Sequence, residues 1–107
     1  MTGTESYMAP EILDYVPRED PHRSAYTTAV DLWALGCIVY RLASGAVPFP
    51  PGPSLGKFCE NTSCLSFQSL QLDQIGVDFI RSLLVPIPRD RSSAQQALNH
   101  QWMLVGR

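Results

Sequence analysis

Thr4, Glu5, Ser6 and Tyr7 set two hydroxyls, a carboxylate and a phenol side by side, and Ala9-Pro10-Glu11 follows after Met8. In isolation the first four are ordinary loop residues, and Thr4 is of the type whose hydroxyl satisfies a local backbone group. Pro10 suits the first position of a helix and Glu11 favours its positive end, so a dipole contact accounts for that pair without any catalysis. The thiols of Cys37, Cys59 and Cys64 are an odd set, with Cys37 inside an apolar run, as expected of buried or free cysteines in a reducing compartment. Cys59 and Cys64 are close enough in sequence to meet, but the only histidines, His22 and His100, are remote and lack ligand spacing, which argues against zinc. No metal or cofactor is therefore expected within these residues. Asn61-Thr62-Ser63 fits a glycosylation acceptor, a pattern frequent by chance, and no apolar leader precedes it. The cytoplasm or nucleus is the expected location.

The bulk composition narrows the classes further. At 107 residues, with 45% hydrophobic and 17% charged content, the chain has material for one modest core and too little for two ordinary domains. Lys+Arg 8 against Asp+Glu 10 gives a net charge of -2. That balance carries no electrostatic footprint for a phosphate backbone or an anionic bilayer, so neither nucleic acid nor membrane is an expected partner.

The elements that must hold these groups are readable from the apolar pattern. Leu32 to Tyr40 is a nearly continuous apolar run, too short to cross a bilayer and too apolar around its circumference for a surface helix, which predicts a helix buried on all sides. Thr28 with Asp31 resembles a capping box at its start, and Gly45 followed by Pro48 supplies a left-handed stop and a breaker. Phe79, Ile80, Leu83 and Leu84 repeat at helical spacing until Pro86 and Pro88 end the run. Ser93 with Gln96 forms a second capping box, followed by Ala97 and Leu98 on one face and Trp102 beyond. No stretch alternates as a strand. Residues 50–72 read mostly as loop, with a short helix over 54–59.

Four blocks now line up: Gly3-Thr4-Glu5-Ser6-Tyr7-Met8-Ala9-Pro10-Glu11, then Asp31-Leu32-Trp33-Ala34-Leu35-Gly36, then Pro48-Phe49, then Arg91 ahead of Ala97-Leu98-Asn99-His100-Gln101-Trp102. In this order they resemble the C-terminal half of a eukaryotic protein kinase domain, whose signatures include the Ala-Pro-Glu element. The resemblance spans essentially the whole chain, so residues 1–107 are expected to be one partial kinase domain. It implies an all-α fold, the C-terminal helical lobe of the kinase-like fold, from the end of the activation segment to the last lobe helix.

The same resemblance implies roles. The Gly3-Thr4 pair is similar to the serine/threonine class, where this hydroxyl bonds the catalytic Asp and Lys. Glu5, Ser6 and Tyr7 would line the pocket for the residue after the phosphoacceptor, so Thr4, Glu5, Ser6 and Tyr7 are the substrate-positioning candidates. Glu11 would pair with Arg91 and clamp the activation segment onto the later helices, a structural contact rather than a catalytic one. Asp31, Trp33 and Gly36 mark the core helix. The family assigns this Asp to amides of the catalytic loop, whereas in the first turn of a helix it already serves exposed amides. Trp33 and Trp102 read as core aromatics rather than a ligand box.

A complete kinase also needs a glycine-rich loop, a lysine paired with a helix glutamate, a catalytic-loop Asp and Asn, and a magnesium-binding Asp. These 107 residues contain none of those motifs. ATP and Mg thus belong to the complete domain, and the isolated chain is expected to be inactive, contributing a loop and a helical lobe to a serine/threonine kinase acting on protein. Its partners would be a protein substrate and the missing kinase half or another protein. The alternative is a catalytically inactive helical module that binds protein. Ile87-Pro88 stands where the family commonly has Asp-Pro, Gln101 where Pro is frequent, and the link from Glu11 to Asp31 looks long; the calmodulin-dependent or checkpoint-like kinases are the nearest group. In the family the apolar helix is wrapped by earlier elements. Several hundred Å2 left uncovered would forfeit on the order of 10 kcal/mol at ~25 cal/mol per Å2, which predicts marginal stability for the chain alone.

Overall fold

The computed structural model describes residues 7–13, 15, 28–50, 52–60, 65–67 and 72–105, with 104–105 as backbone only. Every regular element among the described residues is helical, in keeping with the all-α expectation.

Helix α1, Thr28–Ser44, is the axis of the molecule. Thr28 is already its first helical residue rather than the residue before it, and Asp31 lies in the first turn. At the other end Gly45 takes φ 83° and its N–H donates to the Arg41 carbonyl at 2.7 Å. A side chain at that φ would be strained, which is why glycine stops the helix here. Burial of α1 departs from the expectation of an all-round apolar shell. Leu32, Trp33, Gly36, Cys37 and Tyr40 are buried, but Leu35, Ile38 and Leu42 are 38%, 45% and 81% exposed. Their spacing of three and four places them on one stripe. The described elements pack against the opposite side of α1 only.

That packed side has two layers. Trp33 stacks on Phe49 with centroids 5.6 Å apart, and Phe49 meets Phe58 at 4.9 Å. Phe58 belongs to the short helix α2, Ser54–Cys59, which follows the predicted bounds and buries Leu55. Tyr40 donates its hydroxyl to the Ser66 carbonyl at 2.7 Å and meets the edge of Phe67, which ties residues 65–67 to α1.

Helix α3, Gln74–Leu83, forms the second wall. Asp73 caps it by accepting from the Gly76 N–H at 2.9 Å. Phe79, Ile80 and Leu83 are buried along it, as is Leu84 just beyond its end, and a 3-10 turn, Pro88–Asp90, follows. Helix α1 meets α3 closely at Gly36. A Cβ there would lie 2.9 Å from both Leu83 Cβ and Leu84 Cδ2, so the contact requires glycine.

The C-terminal pattern forms two helices rather than one, α4 over Ala94–Leu98 and α5 over Gln101–Val105. The predicted capping box is present: Ser93 Oγ accepts from Gln96 N at 3.1 Å, and Gln96 Oε1 accepts from Ser93 N at 2.9 Å. Between the helices His100 Nδ1 accepts from the Trp102 N–H at 3.1 Å and so caps α5. Ala97 is buried as expected, but Leu98 is 53% exposed. Adjacent helical positions are turned by roughly 100°, and in a helix this short only one of the two reaches the core. Trp102 packs on Phe79 at 4.9 Å, which closes a small second cluster with Leu32 and Leu83.

Candidate functional site

The Ala9-Pro10-Glu11 turn is anchored by one side chain. Residues 9–13 fold into a hydrogen-bonded turn in which Ala9 O accepts from Ile12 N and Leu13 N, and Pro10 O accepts from Tyr15 N. Ala9 and Pro10 are fully buried, and the turn directs the Glu11 carboxylate inward. There it meets Arg91, eighty residues away, in a two-pronged pair with both N–O distances 2.9 Å.

Arg91 does more than pair with Glu11. Its Nε donates to the Val85 carbonyl at 2.9 Å, one terminal nitrogen also donates to Ala29 at 2.8 Å, and the other to Pro86 at 3.2 Å. A guanidinium has five N–H donors, and these five bonds use them all. The cation also sits 5.1 Å from the Trp33 ring centroid. One side chain thereby joins the Glu11 turn, the first turn of α1 and the linker after α3. Burying both charges is costly unless every donor and acceptor is used, and here the geometry meets that condition. Glu11 and Arg91, eighty residues apart in sequence, are thus in direct contact.

Of the substrate-positioning candidates, Tyr7 is described; Thr4, Glu5 and Ser6 lie outside the described residues. Tyr7 is half-buried against the core around Trp33 and Tyr40, and its phenol oxygen accepts from an Arg41 terminal nitrogen. Asp31 is exposed, Trp33 is buried, and Gly36 is the α1–α3 contact. Trp33 Nε1 is buried with no hydrogen-bond partner among the described residues, although the ring stacks on Phe49 and meets the Arg91 guanidinium. Arg41 was not singled out from the sequence, because it ends an apolar run that reads as core. Nor were the carbonyls of Ala29, Val85 and Pro86, since main-chain acceptors leave no mark on residue type.

The other chemistry-bearing groups are quiet. Burial pushes the Cys37 thiol up to about 12 and the Cys59 thiol to about 11, even with the Arg91 charge acting in the opposite direction. Both are protonated at neutral pH and poor nucleophiles. His100 is occupied by the α5 cap and by an edge contact to Phe79 at 5.1 Å. His22, Cys64 and the Asn61-Thr62-Ser63 acceptor lie outside the described residues. Among the described residues no cluster of His, Cys, Asp and Glu can hold a metal, and no helix is long and apolar enough to cross a membrane.

An Ala-Pro-Glu turn locked by a buried arginine onto an all-α body is the layout of a kinase C-terminal lobe. The chain belongs to the protein kinase domain family, whose model matches residues 1–103. It is 33% identical over 111 residues to serine/threonine-protein kinase RAD53 of Saccharomyces cerevisiae, covering 94% of this chain and 13% of that protein. It is 34% identical over 105 residues to serine/threonine-protein kinase 17A of Oryctolagus cuniculus, covering 94% of this chain and 24% of that one. Human death-associated protein kinase 2 is 35% identical over 106 residues, covering 94% of this chain and 26% of that protein. The crystal structure of the Rad53 kinase domain and SCD2 in complex with AMPPNP superposes with a TM-score of 0.69 at 30% identity, covering 98% of this chain and 42% of that one. The chain thus spans less than half of the solved kinase chain and about a quarter or less of these relatives. They bear out the serine/threonine type read from the sequence.

Proposed function

We propose that residues 3–11 seat the acceptor segment of a protein substrate, within a kinase domain that transfers the γ-phosphoryl group of ATP to a serine or threonine hydroxyl. The Glu11–Arg91 pair is the observation that carries this reading. It fixes the last part of the loop to the helical body through both carboxylate oxygens, the preorganisation that a positioning surface requires. On this reading Thr4, Glu5, Ser6 and Tyr7 face the substrate, and α1 supplies a rigid floor. The nucleotide, the magnesium ions and the base that takes the hydroxyl proton are contributed by other parts of a complete domain. None of the motifs that hold them occurs in these residues.

A second reading, a helical module that binds protein without catalysis, is favoured by the exposed Leu35, Ile38 and Leu42 stripe. Coding sequence upstream of Met1 that carries a glycine-rich loop, His-Arg-Asp and Asp-Phe-Gly would support the enzyme; a genuine start at Met1 would favour the module. Calorimetric titration of the 107-residue chain with Mg-ATP tests the division of labour. No binding is expected, and micromolar binding would overturn the assignment of the nucleotide site to other residues.

A further inference from the structure

Among the described residues three helix starts are capped by a side chain, and the last of them uses a different kind of atom. Asp73 caps α3 and Ser93 caps α4, each through an oxygen. At α5 the acceptor is a ring nitrogen, His100 Nδ1, which takes the Trp102 N–H at 3.1 Å. That bond needs the Nδ1 lone pair, so the ring is neutral and carries its one proton on Nε2. Serine, threonine, asparagine and aspartate are the usual residues at a helix start, and none of them changes charge near neutrality. The same imidazole also touches the surface on which α5 is seated. Trp102 packs on Phe79 at 4.9 Å and lies against Gly76, where a Cβ would come within 3.1 Å of the indole nitrogen. The His100 ring meets the edge of that Phe79 at 5.1 Å.

We propose that His100 is a pH-sensitive latch on the C-terminal helix: neutral, it holds α5 and Trp102 against α3, and protonated, it releases them. An imidazole is the side chain whose charge ordinarily changes between about pH 8 and pH 5. Two effects of protonation act in the same direction. The acceptor at Nδ1 becomes a second donor aimed at the Trp102 N–H, and a cation is placed at the positive end of a helix. The charged groups on the surrounding elements do not offset this. Helices α4 and α5 carry no titratable side chain. On α3, Asp78 accepts from Gln74 Nε2 at 2.8 Å and Arg81 lies 4.8 Å from the Phe67 ring centroid. Helix α1, whose Leu32 shares a cluster with Ala97 of α4, carries Asp31 in its first turn and Arg41 in its last. Among the described residues the carboxylate held in an ion pair is Glu11, on Arg91, so none of these supplies a counter-charge to the ring. The stabilisation from the cap is therefore complete at the alkaline end of the range and is lost as the pH falls through it.

Urea unfolding of the whole chain at about pH 7.5 and about pH 5.5 tests this, beside two variants that do not titrate in that range. His100→Asn keeps an acceptor in its amide oxygen, and His100→Ala has none. On acidification the wild-type folding equilibrium should fall on the order of 5-fold relative to that of His100→Asn. His100→Ala should lie below His100→Asn by a similar factor at both pH values. Acrylamide quenching supplies a second measurement: Trp33 is fully buried, so the added quenching expected of the wild type in acid reports Trp102 leaving Phe79. Circular dichroism at the higher pH checks that the variants keep the wild-type helix content, and either one alone suffices for the comparison. A pH dependence that the variants share with the wild type comes from other groups and would overturn the latch. So would a wild type that loses stability in acid while Trp102 stays shielded, because the ring would then titrate without releasing α5.

Discussion

The two faces of α1 have nearly the same apolar composition and opposite fates. Trp33, Cys37 and Tyr40 are covered by α3, the Phe49 layer and the Arg91 guanidinium, while Leu35, Ile38 and Leu42 remain in contact with water. Composition alone therefore does not decide burial along this helix; what decides it is which elements are present to pack. The covered face also carries features that need a close neighbour, a glycine at the α3 contact and a cation over an indole. Leu35, Ile38 and Leu42 on the uncovered face are branched aliphatic side chains, which need area but no particular partner.

The largest effect that separates the faces should come from the clamp. Arg91→Ala removes the Arg91 charge from the buried Glu11 carboxylate and its N–H donors from the carbonyls of Ala29, Val85 and Pro86. Removing one partner of such a pair costs about 3 to 5 kcal/mol, a large share of the stability of any small domain. Urea unfolding followed by circular dichroism should show the cooperative transition lost or moved far toward zero denaturant. Arg91→Lys should recover little, because an ammonium cannot span two carboxylate oxygens and three carbonyls. An Arg91→Ala chain that unfolds at the wild-type midpoint would mean the covered face is not held by this contact.

Gly36 gives a smaller and sharper probe of the same face. Alanine there gains up to about 1 kcal/mol of helix propensity, but its methyl group would sit 2.9 Å from Leu83 Cβ, an atom that cannot rotate away. Overpacking of this kind costs about 1 to 3 kcal/mol, so Gly36→Ala should be net destabilising and lower the thermal midpoint. A raised midpoint would show that α1 and α3 can separate freely, and that the two faces differ less than their burial indicates.

How much of this was legible follows the same division. Gly45, the Ser93–Gln96 box and the 54–59 helix were readable because each depends on residue type within a few positions. The Glu11–Arg91 pair is not local at all, and it was read by family resemblance. That this helix would keep apolar area uncovered followed from the resemblance, but that the uncovered residues are Leu35, Ile38 and Leu42 was not legible, since an apolar run states what a helix can bury and not what is there to cover it. Asp73 was passed over although an Asp just ahead of an apolar-periodic run is a helix-start signal. The break between α4 and α5 was missed because no glycine or proline marks it; His100 makes it by accepting from Trp102 N. Within the candidate site, Arg41 was hidden by its neighbours Tyr40 and Leu42, and its contact with Tyr7 depends on tertiary packing.

The smallest expected effect is the one that tests the open face directly. Leu42 is 81% exposed, so replacing it with lysine removes little buried area and adds a charge that water already solvates. Its neighbour Arg41 is the nearest like charge in sequence, but both side chains are long and exposed, and their repulsion is screened at ordinary salt. Leu42→Lys should therefore change unfolding stability by no more than about 0.5 kcal/mol in the 107-residue chain. In a complete kinase domain the same substitution is the informative one. If earlier elements pack over this stripe, the lysine would be driven into an apolar contact and the domain would lose stability that the isolated chain never had. A change that is equally small in both would place the stripe in solvent in the complete domain as well, and the contrast between the two faces would then belong to the helix itself rather than to what surrounds it.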